Sequence, residues 1–162
     1  MATSSQAGKP KNMWELRFVS EYAAKFFPDD RALFNVRVGP YKNIPAGLDM
    51  RLTRNRSLGN DRPRSDLIIL TAQTIVLIEA WILPSYGKVS QLMLYRQLLP
   101  STPDLEFEVN LPIESFLLGP WENATLRNLA FQNDIGFVIY RPVWIDKALD
   151  SRAPRLREDR FE

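Results

Sequence analysis

The chain has 162 residues, a formal net charge of +2, 45% hydrophobic and 25% charged residues, and neither His nor Cys. Those absences exclude histidine-based triads, thiol nucleophiles, disulfides and thiolate zinc sites, so any catalysis has to use carboxylates, Lys, Tyr, Ser or a metal. No apolar run is long enough to span a bilayer and the N-terminus lacks a signal-peptide core. The expectation is one domain without a membrane segment, cytoplasmic or part of a virion and not secreted.

Residues 1–11 are Ser, Ala, Gly, Lys and Pro and read as a flexible tail ahead of a domain over 12–145. Asn12 is placed to cap a helix running to about Phe27, with Phe18, Val19, Tyr22 and Phe26 as its apolar stripe and Pro28 ending it. Glu15 falls in the middle of that stripe and Glu21 on its flank, so Glu15 faces either the core or a site, or is a first-turn acid favoured by the helix dipole. A first strand is expected over 32–38. Residues 39–65 form a long irregular segment carrying Lys42, Arg51, Arg54, Arg56, Arg62 and Arg64 against only Asp49 and Asp61. Six cations in one loop suit a phosphate backbone, and DNA is the expected partner; a solvated loop or one docked on an acidic protein is the alternative.

Two apolar runs, 67–70 and 74–83, separated by Thr71-Ala72-Gln73, read as a hairpin of buried strands. Asp66 opens the first run and Glu79 interrupts the second. Alternation points Leu77, Glu79 and Trp81 one way and Val76, Ile78 and Ala80 the other, and a twisted hairpin lets Asp66 reach the side of Glu79. A carboxylate in an apolar strand normally pairs, hydrogen-bonds or binds a metal, and two convergent carboxylates suit Mg²⁺ or Mn²⁺. The alternative is an edge-strand Glu79 facing solvent. After a Pro-Ser-Tyr-Gly break, Val89, Leu92, Met93, Arg96 and Gln97 fall at helical spacing. A strand over 105–111 follows, with 116–118 extending it or separate. A helix over 123–134 closes near Gly136, and a last strand occupies 137–145. The tail 146–162 is charged and reads as a solvated or partner-wrapped arm. Mixed strands and helices argue for an α/β sheet sandwiched by helices.

With Asp66 opening one strand, Glu79 in the next, and Gln91 and Tyr95 in Q-L-M-L-Y on the following helix, residues 13–145 resemble the PD-(D/E)XK nuclease superfamily. The resemblance implies a restriction-endonuclease-like mixed central sheet flanked by helices. It assigns Asp66 and Glu79 to metal, with Mg²⁺ as the cofactor, and places Gln91 and Tyr95 near the site and Glu15 as an accessory acid. The departure is at the E-x-K motif, which here is Glu79-Ala80-Trp81: Trp81 takes the lysine's place, carries no cation, and its bulk is expected to fill the cleft. Lys88, opening the next helix, is the candidate to return an ammonium. Three readings follow. One is a catalytically degenerate nuclease-fold protein serving as a structural, DNA-associated component of a larger assembly, such as a phage head-completion or neck protein. It would have protein partners on both tails and form a homo-oligomer or ring. The second is an active Mg²⁺-dependent deoxyribonuclease using Asp66, Glu79 and Lys88. The third is an unrelated interaction domain, indicated if the two acids point to opposite faces.

Overall fold

The computed structural model describes residues 13–40, 62–103, 105 and 110–150. The elements in order are α1 (Met13–Phe26), β1 (Arg31–Arg37), β2 (Arg64–Leu70), β3 (Ile75–Ala80), α2 (Gly87–Leu98), a 3₁₀ turn (Leu99–Ser101), β4 (Ile113–Gly119), α3 (Ala124–Gln132) and β5 (Gly136–Ile139). A further helical segment covers 145–150.

The five strands form one sheet in the order β1-β2-β3-β4-β5. β1, β2 and β3 are antiparallel, whereas β4 and β5 run parallel to β3. A short turn joins β2 to β3; the parallel pairs need crossovers, which α2 and α3 supply. Both crossovers move one strand in the same direction, so both helices lie on one face. That face buries Ile68, Leu77, Trp81, Val89, Leu92, Leu117 and Leu126. The other face buries Phe18, Val19 and Tyr22 of α1 against Leu67, Ile69, Ile78 and Leu118. Being covered on both faces is why β2 and β3 read as continuous apolar runs rather than alternating ones. The mixed central sheet flanked by helices is the architecture expected from the sequence.

Several boundaries differ from expectation. Phe26 closes α1 half-exposed, and Ala23 fills the core position in its stead. β2 starts at Arg64, so Arg64 and Ser65 belong to a strand rather than to the basic segment. No strand occupies 105–111 among the described residues: Leu105 lies in a 3₁₀ turn, residues 110–111 turn, and β4 begins only at Ile113. Residues 106–109 lie outside the described residues, as do the expected cap Asn12 and residues 1–11 and 151–162 of the two expected tails. The turn after α3 is made by Asp134 at a left-handed φ of 56°, not by Gly136. Gly136 opens β5, where a Cβ would stand 2.4 Å from the Phe116 ring. β5 is four residues long, not nine, since Pro142 has no N–H to donate to a ladder. The chain instead folds back at 145–150, burying Ile145 and Ala148 and stacking Trp144 on Trp14 at 5.6 Å, so the ordered domain runs past the expected boundary at 145.

Candidate active site

β2 and β3 pair regularly from Leu70–Ile75 to Leu67–Ile78. Beyond that pair the acids take over from the backbone ladder. The Asp66 N–H donates to Glu79 Oε1 at 2.9 Å, and the Ala80 N–H donates to Asp66 Oδ2 at 3.0 Å. Each carboxylate thus satisfies a backbone donor of the opposite strand, which fixes both side chains on the α2 face of the sheet. Glu79 is 1% exposed on a central strand, so it is not a solvent-facing edge carboxylate.

Lys88 enters from the first turn of α2. Its Nζ donates to Asp66 Oδ2 at 2.9 Å and to Glu79 Oε2 at 3.0 Å. The Pro-Ser-Tyr-Gly break before α2 is what turns this lysine back over the strand end. Asp66, Glu79 and Lys88 line a cavity of about 360 Å³ together with Glu15, Arg62, Pro63, Arg64, Gln91 and Tyr95. Glu15 therefore faces the cavity rather than the core. Gln91 is exposed at the rim and Tyr95 is buried in the wall.

Two carboxylates share one ammonium, so the three groups carry an unmatched negative charge. Burial, and then the charge of Asp66, push the Glu79 carboxyl up to about 8 against the opposing pull of Lys88. Burial alone would lower Lys88, but Glu79 and Asp66 outweigh it and hold the ammonium above the usual lysine range. Burial and the Glu79 charge raise Tyr95 to about 12, leaving its hydroxyl a hydrogen-bond donor at ordinary pH.

This raises a pH dependence that the composition makes easy to isolate. A native acid with a raised pKa holds a proton that the unfolded chain has lost. The stability so gained is present at low pH and is lost as pH rises from about 5 to 8. With no His or Cys, only the terminal amine otherwise titrates ordinarily in that window. The urea midpoint measured in EDTA should therefore be higher at pH 5.5 than at pH 8.5, and Glu79→Gln should flatten the trend. A midpoint that climbs with pH would mean Glu79 is ionised throughout.

The remaining sequence-predicted residues divide. Arg62 is buried rather than solvated, with Nη1 donating to Gly39 O at 3.0 Å, and it forms one wall of the cavity. Arg64 reaches the same wall from β2. Lys42, Arg51, Arg54 and Arg56 lie outside the described residues. Trp81 does not fill the cleft. It is fully buried away from the cavity, edge-on to Trp121 at 5.4 Å and beside Phe137 at 6.3 Å. The space exists because position 119 is glycine, where a Cβ would come within 2.1 Å of the indole.

The donor set bears on the implied Mg²⁺. Among the described residues no cluster of three or more His, Cys, Asp or Glu is arranged to hold a metal. Mg²⁺, however, commonly takes one or two carboxylates and completes its shell with water and substrate phosphate. An all-oxygen pair already gathered around a positive charge fits that pattern, and the Lys88 ammonium is the stand-in cation.

No protein-family model matches the chain, and no curated protein is similar to it. Among solved structures, a repair endonuclease from Pyrococcus abyssi superposes on 76% of this chain with a TM-score of 0.45 and 14% sequence identity. The matched part is 46% of that protein's chain, so this chain spans less than half its length. No described helix is long and apolar enough to cross a membrane.

Proposed function

We propose that this protein is a metal-dependent phosphodiesterase acting on DNA, with Asp66 and Glu79 holding the metal and Lys88 replacing the lysine absent from position 81. The observation that carries the reading is the Lys88 ammonium within 3.0 Å of both carboxylates, which supplies from a helix the cation that the strand lacks. When bound, the metal would act as a Lewis acid and lower the pKa of a water for attack on phosphorus. The chain's own groups do the rest. Lys88 brings positive charge to the site of attack, and Arg62 and Arg64 line the wall on which a phosphate would rest. Tyr95 stays protonated and can donate to a phosphate oxygen.

The degenerate, assembly-component reading rests on the lysine absent from position 81 and itself expects a buried Trp81, which is 0% exposed; what favours an active site is the Lys88 ammonium on both acids. Incubation of the purified protein with linear and circular DNA in Mg²⁺ or Mn²⁺, against EDTA, decides between the two. Metal-dependent fragments are expected. Intact DNA with both metals, from protein shown to be folded, would overturn the nuclease reading in favour of a structural role.

A further inference from the structure

We infer that Lys88 is the place-holder of the metal site: its ammonium occupies the gap between Asp66 and Glu79 in the metal-free protein and must leave that gap when a divalent cation enters. This rests on the metal-binding part of the reading above.

The argument is one of shared atoms. The oxygens that hold Nζ, Asp66 Oδ2 and Glu79 Oε2, are one from each carboxylate, at 2.9 and 3.0 Å. Asp66 and Glu79 are the residues that would hold a divalent cation, and their facing oxygens are the ones the ammonium takes up. Two cations cannot share that gap. The ammonium has somewhere to go, since the cavity beside it has a volume of about 360 Å³ and is walled by Gln91 and Tyr95, one and two turns further along α2. Lys88 is the second residue of α2, so its stem starts at the rim of that cavity.

The arrangement also has a reason. Glu79 is almost wholly buried and faces Asp66, so an empty site without a local cation would set two carboxylates against one another. Lys88 offsets that repulsion until metal arrives. Once displaced, it faces the space that an incoming phosphate would fill, so a single side chain serves the empty site and then the loaded one.

Competition of this kind has a direct signature. Mn²⁺ binding, followed by electron paramagnetic resonance or calorimetry, should be about tenfold or more tighter in Lys88→Met than in the unaltered protein. The thermal midpoint of the variant should be lower in EDTA and should rise further on adding Mn²⁺. A measurement on the unaltered chain guards against a variant that fails to fold. Reductive methylation of Lys88, read by peptide mass spectrometry, should accelerate when Mn²⁺ is present. Equal or weaker Mn²⁺ binding in Lys88→Met overturns the inference, as does no Mn²⁺ binding by either protein, or methylation that Mn²⁺ leaves unchanged or slows. None of these readouts needs cleavage. Tight Mn²⁺ binding without DNA cleavage would sink the nuclease reading alone, and cleavage with unchanged Mn²⁺ affinity would sink the place-holder alone.

Discussion

Glu79→Gln should lower metal-dependent DNA cleavage by on the order of 10³-fold or more while leaving the domain folded. The amide keeps the shape of the carboxylate, and its oxygen can still accept from the Asp66 N–H, the bond that closes the strand pair at 2.9 Å. What it cannot do is bind the metal as an anion. Its NH₂ also meets the Lys88 ammonium donor to donor, where Oε2 now accepts at 3.0 Å. The fold tolerates the change because no charge is created and Lys88 keeps Asp66 as its partner at 2.9 Å. Initial cleavage rates beside circular dichroism and a urea titration give both halves of the result. A folded variant that still cleaves within tenfold of the parent would take Glu79 out of the mechanism.

Placing a lysine at position 81 should do harm, not repair. Trp81→Lys replaces a fully buried indole packed on Trp121 and Phe137. Truncating a buried Trp costs about 3–5 kcal/mol, and an unpaired ammonium in the same space adds more. Set against the roughly 5–15 kcal/mol that holds a typical domain together, the sum is enough to unfold much of the population. The expected outcome is a variant that is largely unfolded, or melts far below the parent, with no gain in cleavage. Trp81→Phe, which keeps an aromatic ring in the pocket, should fall between the two. A stable Trp81→Lys protein with raised activity would show that position 81 opens onto the cavity after all.

The sequence made the centre of the molecule plain and the periphery uncertain, for identifiable reasons. The runs around Ile68 and Ile78 are apolar at every position because both faces of β2 and β3 are covered, and that pattern survives without any partner being known. Asp66 and Glu79 stood out because acids are rare in such runs, and alternation correctly put Glu79 on the face of Leu77. Alternation fixes a face, however, not where along the strand a large side chain tilts. Whether Trp81 lay over the cavity or over β4 depended on Gly119, which is distant in sequence. Of the strand expected over 105–111, the described residues Leu105 and 110–111 lie in turns, and the sheet has its parallel partner at Ile113. The end of β5 was obscured by apolar residues near Trp144 that serve a packed helical segment, not an edge strand.

One feature of the site concerns how it is assembled. Asp66 and Lys88 are 22 positions apart, and Glu79 and Lys88 only 9. The three charges are brought together by one hairpin and one helix turn, whereas β3 meets β4 only after the long crossover through α2. Contacts close in sequence carry the smaller loop-closure cost. The three charges are therefore encoded as one contiguous cassette, residues 66–88, which depends on the hairpin and one helix turn and not on the parallel half of the sheet.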